Sequence, residues 1–365
     1  MRRPHARVLR LALPVAVALL IGGREAAAQD PARARLEQAR SLAAQGKAET
    51  ALAALRAAVF LHRGDIEISR EYQNAMARAG RKDEAVKEYR TLAEAFPDEA
   101  TWHYLLGRLL DGEALEKELR TALQLDPKFF WAHFGMGQYA IDHGRPREAI
   151  PHLQAARDLR PDFLEAHDAL AKAHHFAGEF ESAERVWAEA VRQFPRSPAP
   201  RVGLGVLYKT IGRGDPSFLP RAVDQLDAVL ATWPDTWEAY EPLVQAHYAM
   251  GAPEKAERVR EAARALGRRL KQDSMVVDLV DLGPRVMILT ELLAGDVWIR
   301  VTTAPKGREK VEPVPAAFVA LKADGSLDLY LASPAKPQEA GAFVEHYAKP
   351  PAHAALVERL EAALK

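Results

Sequence analysis

Between residue 31 and about residue 267, apolar positions recur every three or four residues, and short polar turns interrupt them at regular intervals. In residues 130–161, Met136, Gly137 and Ala140 share one face of a first predicted helix, and His143-Gly144-Arg145 turns the chain. Gly144 suits that turn because a left-handed backbone conformation ends many helices and penalises a Cβ. Ala149, Leu153 and Ala156 then stand at i, i+4 and i+7 on a second helix, and Pro161 blocks its propagation. The small residues on this stripe let two paired helices approach closely. The punctuation repeats. Gly46 and Gly80, Gly144 and Gly178, and Gly178 and Gly212 are each 34 residues apart, and Ala51, Ala85, Ala149 and Ala183 follow five residues behind their glycines. Prolines close the units at Pro97, Pro127, Pro161, Pro195 and Pro234. One helix pair cannot bury its stripe by itself, so the pattern predicts about seven stacked units.

Two units depart from the period. Gly80 and Gly144 are 64 residues apart, which removes about one helical turn from the unit around Gly107 to Pro127. Gly212 and Gly251 are 39 apart, and the excess is Gly214-Asp215-Pro216-Ser217-Phe218-Leu219-Pro220. That insert predicts a longer turn, read either as a tolerated insertion or as a binding loop with Phe218 and Leu219 at its tip. Arg-Gly-Asp at 63–65 and 213–215 reads as turn composition.

Past Gly267 the period changes. Met275–Leu282, Arg285–Leu293, Asp296–Thr303, Ala316–Lys322 and Leu327–Ala332 are rich in Val, Leu and Ile and read as five strands. Asp324-Gly325 predicts a tight hairpin, and Leu327, Leu329 and Leu331 alternate with Asp328 and Tyr330 to give one buried and one wetter face. Pro305 to Pro315 reads as a charged loop. Gln338–Ala348 and Ala352–Leu364, separated by Pro350-Pro351, read as two helices, the second amphipathic through Leu356, Val357, Leu360 and Leu364. The expected organisation is a leader over 1–28, a helical domain over 29–269, and a small α+β domain with an antiparallel sheet over 270–365.

Ala132-His-Phe-Gly-Met-Gly137 with Gly144, Ala149 and Leu-Arg-Pro161 resembles the tetratricopeptide repeats, as does Ala166-His-Asp-Ala-Leu-Ala171 with Gly178, Ala183, Trp187 and Phe-Pro195. The resemblance covers roughly two thirds of the chain. It implies a mainly α fold, a right-handed superhelical solenoid of about seven helix pairs, whose first helices line a concave groove for a protein or peptide. It places Tyr104, Arg108, Trp131, Phe134, Gln138, Asp168, Lys172, His175, Phe176, Lys209, Glu241, Gln245 and Tyr248 along that groove. Some members clamp a terminal carboxylate with Lys and Asn. Here only Arg70 and Asn74 match that pattern, while Tyr104, Phe134 and Gln138 depart.

Composition narrows the chemistry. The 365 residues carry 50 basic and 50 acidic side chains and no cysteine. Disulfides, thiolate metal sites, a cysteine nucleophile and a lipid-bearing cysteine are therefore excluded. The even charge balance argues against a nucleic-acid partner, which usually needs a basic stripe. Arg2, Arg3, Arg7 and Arg10 precede an uncharged apolar run from Leu11 to Gly23, and Ala26-Ala27-Ala28 precedes Gln29. Thirteen residues are too few for a membrane span of about 20 and suit an exported chain cut after Ala28. Losing five basic residues and one acidic residue leaves 45 against 49, a mildly acidic protein.

No zincin, nucleophile-elbow, P-loop or dinucleotide motif occurs, and no cofactor is expected. His133, His167 and His174 could be drawn as a zinc site, but their positions favour packed, hydrogen-bonded histidines over a metal centre. The sequence therefore points to a periplasmic or secreted adaptor with neither metal nor membrane span. The alternatives are an enzyme with its site in residues 270–365, where His346 and His353 flank the Pro-Pro break, or an envelope glycan-binding protein using Trp131.

Overall fold

The structure, a computed structural model, describes residues 31–282, 284–292, 297–305, 314–321, 326–333, 340–349 and 351–364. The expected leader, the Asp324-Gly325 turn and the charged segment 306–313 lie outside those residues. Contacts divide the chain between Pro161 and Asp162 into two compact units.

Among the described residues the first unit holds four helix pairs: α1 (Pro31–Ala44) with α2 (Ala48–Leu61), α3 (Ile66–Arg78) with α4 (Lys82–Ala95), α5 (Ala100–Gly107) with α6 (Gly112–Leu125), and α7 (Phe130–Asp142) with α8 (Pro146–Leu159). The turn glycine Gly144 has φ +68°, as its role between α7 and α8 requires. Ala149, Leu153 and Ala156 are fully buried, and a Cβ built on Gly137 would lie 2.3 Å from Leu153 Cγ. Glycine is thus what lets α7 lie this close to α8. The shortened unit took its deletion in α5, which has 8 residues where α3 and α7 have 13. Asp65 caps α3 by accepting from Ile68 N at 3.0 Å, so residues 63–65 are a helix-entry turn.

The second unit holds α9 (Leu164–Phe176) with α10 (Phe180–Gln193), α11 (Ala199–Gly212) with α12 (Leu219–Thr232), and α13 (Trp237–Ala249) with α14 (Pro253–Leu270). Ala183 is fully buried, like Ala149. The insert forms one 3-10 turn, Pro216–Phe218, whose Asp215 accepts from Ser217 N at 3.0 Å. Leu219 does not stand at a loop tip. It is buried, and a Cβ on Gly212 would meet its Cδ2 at 2.5 Å, so Gly212 keeps the 34-residue spacing to admit a leucine. Phe218 is half-buried beside Tyr208 and Arg221.

Six strands follow: β1 (Ser274–Asp281), β2 (Arg285–Leu292), β3 (Val297–Pro305), β4 (Val314–Leu321), β5 (Leu327–Ala332) and β6 (Ala340–Tyr347), then α15 (His353–Leu364). They form one antiparallel meander in chain order. Within the segment read as a helix from Gln338 to Ala348, residues Ala340–Tyr347 form β6. Its register on β5 shifts between Glu345 and Phe343, leaving Val344 as an extra residue. That bulge puts Val344 and Tyr347 on the same core, three residues apart, which imitates a helical stripe. Leu356 and Leu360 of α15 pack on the sheet beside Ala256, Ala263 and Leu266 of α14. One core therefore runs from α14 through the sheet to α15. Within it Glu291 of β2, itself 2% exposed, receives Arg260 Nη2 at 2.7 Å and also pairs with Arg264.

Candidate functional site

In the first unit, α3 carries Arg70 and Asn74 one helical turn apart, and Arg108 caps the end of α5. Arg108 Nη1 donates to Gln73 Oε1 at 2.7 Å and Nη2 to Asn74 Oδ1 at 3.3 Å, while buried Gln73 donates to the Leu105 carbonyl at 2.7 Å. The Arg108 pKa is lowered by burial, and the nearby Arg70 charge acts in the same direction. The Arg70 guanidinium lies 4.1 Å over the Trp131 ring, which stacks on Tyr104 at 6.1 Å. Neither Arg70 nor Arg108 forms an ion pair among the described residues.

These contacts change the part played by two expected anchors. Tyr104 is 3% and Trp131 8% exposed, so both form the floor beneath the arginines and do not project from the surface. Burial also pushes the Tyr104 phenol up. Phe134, stacked on Phe130 at 6.1 Å, and Gln138 are half-buried on the same helix.

In the second unit, Lys172 and Phe176 are exposed on α9. Asp168 accepts from Trp187 Nε1 at 2.9 Å, holding α10, and lies 2.6 Å from Lys172 Nζ. His175 stacks on Phe176 at 5.4 Å, and burial followed by the Lys209 charge pushes its pKa down to about 4. Lys209 Nζ donates to Gln245 Oε1 at 2.7 Å, and Glu241 Oε1 accepts from Gln245 Nε2 at 3.3 Å. Gln245 and Tyr248 fasten the sheet: Gln245 donates to the Val276 carbonyl at 3.2 Å, and Tyr248 stacks on His353 at 3.8 Å while accepting from Arg260 at 2.8 Å.

The three histidines drawn as a zinc set have different partners. His133 Nδ1 lies 3.1 Å from His152, buried His167 meets Phe194 edge-on, and His174 Nδ1 lies 2.7 Å from Glu179. Among the described residues no group of three or more His, Asp or Glu is placed to hold a metal ion. Sequence reading missed the partners of His346 and His353. His346 Nδ1 lies 2.8 Å from Asp328, which also accepts from Tyr330, and His353 Nε2 lies 2.8 Å from Asp278. An aspartate-oriented histidine can move a proton. These partners stand 18 and 75 residues away, beyond any local motif.

A family profile described as tetratricopeptide repeat matches residues 42–109 and 140–202. The helix pairs within these two stretches are therefore similar to tetratricopeptide repeats. Similar solved structures include a tetratricopeptide repeat protein from Parabacteroides merdae, 17% identical over 65% of this chain and 93% of that one, with a TM-score of 0.47. Another is TTC0263 of Thermus thermophilus, 22% identical over 47% and 95% of the two chains, TM-score 0.37. YrrB, described as a repeat protein with an unusual peptide-binding site, is 18% identical over 52% and 96%, TM-score 0.40. A search of curated proteins finds no match. Tetratricopeptide arrays are scaffolds for protein interaction, and no described helix is long and apolar enough to cross a membrane.

Proposed function

We propose that the protein is an exported adaptor that holds a protein or peptide partner on the first helices of its tetratricopeptide repeats. The observation carrying this reading is the Arg70–Arg108 pair over its aromatic floor. Two guanidiniums held by amides and a ring, with no ion pair among the described residues, keep their charge for a ligand. The basic start, short apolar run and Ala26-Ala27-Ala28 support export.

Cross-linking in the native envelope identifies the partner, and the same preparation gives the mature N-terminus by mass spectrometry. Arg70→Ala should weaken binding about tenfold, an effect of roughly 1.4 kcal/mol typical of an interface contact. Trp131→Ala is a poor probe, because removing a buried tryptophan costs about 3–5 kcal/mol of folding stability. Unchanged affinity for folded Arg70→Ala refutes the groove, and an intact Met1 chain in the membrane fraction refutes the cleaved leader.

A further inference from the structure

A second surface lies on the second helices of the first two repeats. Phe60 near the end of α2 is 69% exposed, and Phe96 at the end of α4 is 39% exposed. Beside them opens a cleft of about 580 Å³ lined by Val59, Phe60, Leu92 and Trp102. Its wall is well supported. Trp102 is buried, donates to Glu99 at 2.8 Å, and lies 6.0 Å from the Phe96 ring. Phe60, by contrast, leaves most of its ring in water, so it contributes little to the fold that a polar residue would not.

The charges around this cleft are unequal. Glu84 is engaged by Arg81 at 2.6 Å, and Glu88 accepts from the Tyr72 hydroxyl at 3.1 Å. Arg56, Arg63 and Lys87 line the same cleft, are exposed, and form no ion pair among the described residues. Arg63 lies 5.3 Å over the Phe60 ring, which places a cation beside the apolar opening. The rim carries three exposed cations against the carboxylates of Glu88 and of Glu84, the latter already paired with Arg81, so it is net positive and complementary to an apolar side chain flanked by carboxylates.

We propose that this cleft docks an acidic amphipathic segment of a partner protein. A large aliphatic or aromatic side chain enters beside Phe60 and Trp102, and carboxylates of the same segment meet Arg56, Arg63 and Lys87. The residues involved are separate from Arg70, Arg108 and Trp131, so this site and the first-helix site stand or fall independently.

The test uses the whole mature chain and a fluorescein-labelled amphipathic peptide of leucine, phenylalanine and glutamate, followed by anisotropy. A second peptide has every glutamate replaced by lysine. The acidic peptide should bind, with Phe60→Ala and Arg63→Glu each weakening it by about tenfold or more, while Arg70→Ala leaves it unchanged. The lysine peptide should not bind. Both cleft substitutions alter exposed side chains, and circular dichroism checks that the fold persists. Equal binding of the two peptides, no binding of either, an unaffected Phe60→Ala, or loss of binding in Arg70→Ala overturns the proposal.

Discussion

Gly137→Ala opposes two effects at a single atom. Alanine in a helix interior is favoured over glycine by about 1 kcal/mol. Here the added Cβ would stand 2.3 Å from Leu153 Cγ and 2.5 and 3.1 Å from its two methyl carbons. The obstacle includes the branch point of the side chain, so a turn of one methyl does not relieve it. Leu153 is fully buried, and either it leaves its rotamer or α7 and α8 move apart. Overpacking of this kind costs about 1–3 kcal/mol, so the expected net effect is a destabilisation of about 0–2 kcal/mol. The sign should reverse once the obstacle is removed. Leu153→Ala by itself should cost about 2–5 kcal/mol. In that background Gly137→Ala should stabilise by up to about 1 kcal/mol. Urea denaturation of the four proteins measures the coupling, and hydrogen exchange in α7 and α8 localises it, since repeat arrays can open in parts. A Gly137→Ala protein as stable as wild type, with no change of sign in the Leu153→Ala background, would refute the close approach of these helices.

Glu291→Ala should destabilise the second unit by up to about 3–5 kcal/mol, because buried Arg260 loses Glu291 and keeps the more exposed Glu257. Denaturation of the whole chain reads the loss, and a change under about 1 kcal/mol would contradict the assignment. His175 should titrate near pH 4 by NMR, and Lys209→Ala should raise that midpoint. Its folded pKa lies below the ordinary value of about 6.5, so the unfolded chain takes up the proton first. Stability associated with neutral His175 is therefore full above about pH 6.5 and declines as the pH falls toward about 4, with no further loss below. A midpoint near 6.5 would refute the burial argument.

The helix pairs were legible in the sequence because their determinants are local. A turn glycine such as Gly144 and a stripe such as Ala149, Leu153 and Ala156 both act within one repeat, and repetition makes each signal visible several times. The same locality explains the shortened α5 and the turn at Pro216–Phe218, both marked by a broken 34-residue spacing. Alternation marked β5 only in part: Leu327 and Leu329 are buried in the core, but Leu331 is half-buried and Asp328, expected on the wetter face, is buried where it accepts from Tyr330.

Tertiary structure decided whatever depended on a neighbour distant in sequence. The resemblance placed Trp131 and Tyr104 along the groove, but their burial depends on packing among helices α3, α5 and α7 and on the Arg70 guanidinium. Leu219 looked like a loop tip until Gly212 opened a place for it. The sixth strand was hidden because a bulge at Val344 breaks period-two alternation, and pairing with β5 supplies the backbone partners that a helix would have made internally. The aspartates beside His346 and His353 come from other strands, so no local motif could announce them. A repeating chain states its own period, because each helix pair obeys the same steric rule; which side chains that stacking covers, and which charges it leaves for a partner, is settled only when distant surfaces meet.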